Sequence, residues 1–216
     1  MAEWLVEEGI GEDRAILLEA DVPVAARLQC HGALAAGQVE DAVLVSRAAG
    51  SRRGIARFAS GEDVLVDHLP REASEGAPLR LAITRAALAE KGRFKRAQAR
   101  PTTRPPCPAP GLAARLRDEG QTVRIVRRFP SGCWEDVFAD AWSGECTFSG
   151  GAIIITPTPA MTLIDVDGTL SPPVLARAAV PAIAQAIARL DLAGSIGIDF
   201  PTLSDKADRR AVDTLL

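Results

Sequence analysis

The chain has 216 residues, with 25 basic against 28 acidic side chains and a formal net charge of −3. With 47% apolar and 25% charged residues it is composed like an average soluble domain and buries a core, which excludes disorder throughout. Aromatic residues are only 4%, with no tyrosine, so the core rests on Ala, Val, Leu and Ile, and the overall balance is not that of a strongly basic nucleic-acid binder.

The four cysteines, Cys30, Cys107, Cys133 and Cys146, have no C-x-x-C spacing, which argues against structural zinc and against a disulfide framework. No basic stretch leads into an apolar one at the start of the chain, and no apolar run reaches the roughly 18 residues of a membrane helix. The expectation is a reduced, cytoplasmic protein with no membrane partner.

Residues 4–7, 14–19 and 22–28 are extended apolar runs separated by Gly9-Ile10-Gly11 and by Asp21 and Pro23, and read as strands. Further strand candidates follow at 42–47, 54–58, 63–67 and 79–84, a spacing of about ten residues that suits a small barrel. Between Arg85 and Arg128 the composition shifts to 12 basic residues against three acidic ones. Such a run is either a solvated face or a track for a polyanion. Within it, residues 101–110 hold five prolines and read as an extended linker. A short helix is expected over 112–119.

Beyond the linker the pattern becomes α/β. Strands are expected at 123–127, at 151–156 and at 163–166; the Ala-Ile-Ile-Ile run in the second suits a buried strand. An alanine-rich helix is expected over 172–190, with Pro172 and Pro173 at its start and Gly194 past its end. A strand over 195–200 and a closing helix over 205–215, capped by Ser204, complete the chain. Strand, helix, strand in succession implies a parallel pair joined by a crossover.

That pairing puts Asp165 and Asp167, at the end of one strand, beside Asp199 at the end of the next. Neighbouring carboxylates repel unless a cation lies between them, and hard oxygen ligands favour magnesium or manganese. Such an ion can activate water and stabilise charge on a phosphodiester. The plain alternative is that these aspartates cap loops. The string Leu163-Ile164-Asp165-Val166-Asp167-Gly168 is also similar to the first motif of haloacid-dehalogenase-type phosphatases, which would make Asp165 a phosphoryl acceptor. Position argues against that reading, because only 49 residues follow Asp167.

Four stretches together resemble the ribonuclease E/G family from end to end. Phe148-Ser149-Gly150-Gly151 with the isoleucine run, leading to Ala160-Met161-Thr162-Leu163-Ile164-Asp165, is similar to that family's Ser-Gly-Gly strand and first catalytic strand. Gly194-Ser195-Ile196-Gly197-Ile198-Asp199-Phe200 looks like the strand carrying its second catalytic aspartate. Leu81-Ala82-Ile83-Thr84-Arg85 with Glu90-Lys91-Gly92-Arg93 resembles the last barrel strand and its Lys-Gly turn, and Glu12-Asp13-Arg14-Ala15-Ile16 the opening region.

The resemblance implies an α+β protein: an S1-type oligonucleotide-binding (OB) barrel at 36–97, inserted into an RNase H-like subdomain made of 1–35 and 112–148. A linker at 98–111 and a DNase I-like catalytic subdomain at 149–216 complete it. It further implies a magnesium-dependent endoribonuclease acting on single-stranded RNA, in RNA processing or decay. Asp165 and Asp199 would be the catalytic metal ligands, with Asp167 beside them. Phe58 and His68 would stack on bases, and Lys91, Arg93, Lys95 and Arg96 would contact RNA. The chain departs from the family in carrying Asp167 where an asparagine is usual, in lacking most of the 5′-monophosphate-sensing region, and in lacking the cysteine-containing zinc link. Zinc-bridged protomers are therefore not expected, and the oligomeric state is otherwise open. A non-catalytic RNA-binding module of the same fold is the alternative.

Overall fold

The computed structural model describes residues 2–90 and 93–216, and the chain divides into two compact units. The barrel unit, Cys30–Ala114, is inserted in sequence between the two parts of the other unit, which ends its first part at Gln29 and resumes at Arg115–Leu216. The result is a mixed α+β protein with four helices among the described residues, the first, α1 (Leu112–Asp118), lying where the sequence predicts a short helix.

The discontinuous unit holds two four-stranded sheets. The first has β1 (Glu3–Glu8), β2 (Glu12–Glu19), β3 (Val22–Cys30) and, contributed from after the barrel, β11 (Val123–Val126), in the order β11-β1-β2-β3. β1 pairs antiparallel with β2 and parallel with β11. Leu5, Ile16 and Ala26 of this sheet form a core with Cys133 and Val137 of α2 (Cys133–Ser143).

The barrel unit closes on itself in the order β10-β6-β5-β4-β7. Its strands are β4 (Val39–Arg47), β5 (Gly54–Phe58), β6 (Asp63–Val66), β7 (Pro78–Arg85) and β10 (Gln98–Pro101). Period-two alternation points Ala42, Leu44, Ala56, Phe58, Val64, Val66, Leu81 and Ile83 into one closed core. Closure corrects the reading of 98–111 as a free linker. Gln98–Pro101 pairs antiparallel with β7 and parallel with β6, and Cys107 bridges back to Val39. Pro101 lies beyond Ala99, the last residue of β10 that pairs with β6, so on that side its missing N–H removes no ladder bond. A separate hairpin of β8 (Leu88–Glu90) and β9 (Arg93–Lys95) extends from β7.

The second sheet of the discontinuous unit has β12 (Glu145–Phe148), β13 (Gly151–Pro157), β14 (Thr162–Gly168) and β15 (Ile196–Asp199), in chain order. β12, β13 and β14 form an antiparallel meander. β14 and β15 are parallel, joined through α3 (Pro172–Arg189) as the sequence implies. One face of this sheet is covered: Ile153, Ile155, Ile164 and Val166 pack on Leu175, Ala179, Ile183 and Ala186 of α3. The opposite face is open, so β13, a buried strand by its isoleucine run, is buried on one side only; Ile154 is 41% exposed. On its outer side, α3 packs Ala176 and Val180 against Val212 of α4 (Lys206–Leu215). α4 is capped by Asp205, whose Oδ1 accepts from the Ala207 N–H at 2.9 Å, rather than by Ser204.

The Ser-Gly-Gly segment has a packing reason. Gly151 lies opposite Gly168 across β13 and β14, and a Cβ on Gly151 would stand 2.5 Å from the Asp167 carbonyl oxygen and 2.9 Å from Leu175 Cδ1. Two facing glycines let the N-terminal turn of α3 sit down on the sheet. Gly151→Ala is expected to lower stability by about 1–3 kcal/mol through overpacking, read as a drop in thermal midpoint. Gly11→Ala, where an added Cβ meets nothing within 4 Å, should change it little.

Candidate functional site

The candidate site is the open face of the sheet around β14 and β15. Register pairs Asp165 with Asp199 on adjacent parallel strands, so their side chains stand on the same face with their backbones about 4.8 Å apart. Asp167, two residues along β14, projects from that face as well. The row across the sheet reads Glu145, Ile154, Asp165, Asp199. All three aspartates are exposed. Among the described residues, no ion pair or hydrogen bond engages the Asp165 or Asp199 carboxylate. Asp167 is less free, because its Oδ1 accepts the Gly168 N–H at 2.8 Å.

Two unneutralised carboxylates side by side are a hard-oxygen donor set. They fit magnesium, which takes one or two protein carboxylates and keeps several waters. They do not form a complete cage: among the described residues no group of three or more His, Cys, Asp or Glu is arranged to enclose a metal. The thiols of Cys133 and Cys146 are pushed up in pKa, chiefly by burial, and read as inert packing groups rather than ligands.

The RNA-contact residues expected in the barrel divide. Phe58 is 2% exposed and lies within the barrel core, so it offers no ring face to a base; its place on β5 gives it the same inward parity as Ala56. His68 is exposed just after β6, at a left-handed φ of 60°. It lines an open groove of about 520 Å³ with Arg52, Arg53, Asp67, Gln98 and Arg100. Asp67 organises that groove. It accepts from the Gln98 amide and from Arg53 Nε, and these bonds hold its carboxyl below the usual carboxylate range. Lys91 lies outside the described residues. Arg93 and Lys95 belong to β9, and Arg96 is exposed immediately after it.

Sequence reading missed Phe94. It sits in β9 between Arg93 and Lys95 and is 66% exposed. The available signal was an aromatic flanked by basic residues, the composition of a stacking contact set among phosphate contacts. A second missed feature lies in the discontinuous unit. Arg14, Arg127, Arg128, Phe129 and Trp134 line a cleft of about 460 Å³, with the Arg14 guanidinium 5.2 Å from the Trp134 ring centroid and Phe129 stacked on the same ring.

Compared with known proteins, the chain matches no family model and no curated protein. No helix among the described residues is long and apolar enough to cross a membrane.

The geometry of the acidic pair has a direct thermodynamic consequence. Magnesium at concentrations well above its Kd is expected to raise the thermal midpoint by mass action on the native state. Asp165→Asn combined with Asp199→Asn should abolish that rise while leaving the metal-free midpoint equal to or above that of the parent, because a like-charge repulsion is removed. Differential scanning calorimetry with and without magnesium checks both.

Proposed function

We propose that this protein is a magnesium-dependent endoribonuclease of the ribonuclease E/G type, acting on single-stranded RNA. In this reading the closed barrel is an S1-type OB module, residues 1–35 and 112–148 make the RNase H-like subdomain, and residues 149–216, with Asp165 and Asp199, make the DNase I-like catalytic subdomain. The observation that carries the proposal is the in-register placement of Asp165 and Asp199 on one exposed face, without a basic partner among the described residues.

In this reading Asp165 and Asp199 would hold the ion on the open face of the sheet. Bound there, magnesium supplies charge neutralisation at the scissile phosphate and a more acidic water. Asp167, tied to the Gly168 amide, shapes the turn that follows β14 and adds negative potential beside the pair. The barrel contributes affinity: Arg53 and Arg100 flank a groove suited to phosphates, His68 and Phe94 present exposed rings, and Arg96 adds charge. Phosphate contacts of this kind make binding fall steeply with salt. The Arg14, Arg127 and Arg128 cleft, lined also by Glu7 and Glu135, adds arginines beside aromatic rings.

A second reading, a non-catalytic RNA-binding module of the same fold, is favoured by one observation, the lack of a third metal-ligating group around the pair among the described residues. The two part in a single experiment. With a single-stranded RNA and magnesium, the endonuclease reading expects cleavage, reduced by about a hundredfold or more in Asp165→Asn and in Asp199→Asn, as befits loss of several kcal/mol of charge stabilisation. Cleavage persisting unchanged in both variants would remove the assigned mechanism. Salt-sensitive binding with no cleavage in the parent would favour the module.

The barrel assignment is tested separately. Phe94→Ala should leave the thermal midpoint unchanged and weaken RNA binding by about 1–3 kcal/mol, the worth of one stacked base. Phe58→Ala should instead lower stability by about 3–5 kcal/mol, as a core truncation does. Chemical denaturation and filter binding on the two variants distinguish these roles.

A further inference from the structure

Helix α2 carries an exposed feature that the RNA reading leaves unused. Its buried side holds Cys133 and Val137 against the first sheet, while Phe138 and Trp142, one turn apart on another face, are 57% and 83% exposed. Their rings stack on each other at a centroid distance of 6.1 Å with planes 17° apart, forming a preordered aromatic ridge. Nearly bare tryptophan is uncommon on a protein surface, and paired with phenylalanine it marks an interaction site rather than a stray apolar residue.

The electrostatics around the ridge select the partner. α2 contains Glu135, Asp136 and Asp140 and no basic residue, and its last turn has none to complement the negative end of the helix dipole. Asp140 is paired with Arg189, but Glu135 and Asp136 are exposed, and Glu145 follows just beyond the helix. Phosphates would be repelled here, which disfavours RNA. A second copy of α2 packed face to face would set like charges against each other. A cation is favoured three ways at once, by the carboxylates, by the helix C-terminus and by the face of Trp142, the best of the cation–π acceptors.

We propose that the Phe138–Trp142 ridge is a docking surface for an arginine-rich segment of a partner protein, with a guanidinium on the face of Trp142 at the negative end of α2 and a further basic side chain toward Glu135, two turns back on the same stripe. This inference does not depend on the ribonuclease reading, since neither Phe138 nor Trp142 belongs to the acidic pair, to the barrel or to the Arg14 cleft.

The test is calorimetric titration of the full chain with a short oligoarginine peptide at low ionic strength. Trp142→Ala leaves the net charge unchanged, so it separates docking on the ridge from general attraction of a polycation to an acidic protein. Binding should weaken about fivefold or more in Trp142→Ala, the equivalent of one lost cation–π contact, and be largely retained in Trp142→Phe. Circular dichroism should show the same helix content in all three proteins. Failure of the parent to bind, or equal binding by Trp142→Ala, would overturn the proposal. So would a parent dimer converted to monomer by Trp142→Ala, which would assign the ridge to self-association.

Discussion

Two like charges are held side by side in this protein because apolar packing on the opposite face of the same strands leaves them no alternative. Ile164 and Val166 of β14 are buried under Leu175, Ala179 and Ile183 of α3, and period-two alternation then forces Asp165 and Asp167 to the other side. The crossover helix delivers β15 parallel and in register, which sets Asp199 against Asp165. Each fully buried aliphatic side chain contributes about 1.5–3 kcal/mol. Repulsion between two exposed carboxylates about 5 Å apart is about 1 kcal/mol in water and a few kcal/mol at an effective dielectric of 20. The packing wins, and the two carboxylates stay side by side on the open face.

The barrel shows the converse arrangement, in which charge is organised by a buried or half-buried acid. Asp67, with its side chain 14% exposed, fixes Arg53 and Gln98 and thereby joins β6 to the closing strand β10 at the groove. Arg53 remains 78% exposed although it is paired, so its guanidinium is aimed by Asp67 yet still open to a phosphate. The closing strand is thus both a structural element, completing the hydrogen-bonded circuit from β6 to β7, and the source of Gln98 and Arg100 in the groove.

What could be read from the sequence follows the strength of the periodic signal. The parallel pair and its crossover were legible because α3 carries a long apolar stripe ending near a glycine and the flanking strands alternate cleanly. The barrel strands were legible from their even spacing. β10 was hidden by its proline and by the prolines after it, which mimic a linker until tertiary pairing is known. α2 was hidden because its N-cap is Gly132 in a left-handed conformation, with no side-chain cap to announce a helix start. Phe58 was misassigned although parity alone places it inward with Ala56, while Phe94 lay in a three-residue strand too short to show any alternation.

Aromatic residues are few, so where they are exposed is informative. Trp4 and Phe58 are spent in cores, and Phe129 and Trp134 stack on each other beside Arg14. Phe94, Phe138 and Trp142 are the largest exposures left to the ring side chains. Their sequence settings are opposite in sign: Phe94 is flanked along the chain by Arg93, Lys95 and Arg96, whereas Phe138 and Trp142 lie on a helix with three acids and no base. A ring bordered by cations complements a stacked base with its phosphates, and a ring bordered by carboxylates complements a cation. One ligand cannot satisfy both environments. The near-neutral total charge therefore conceals one ring set in a basic stretch and two rings set on an acidic helix.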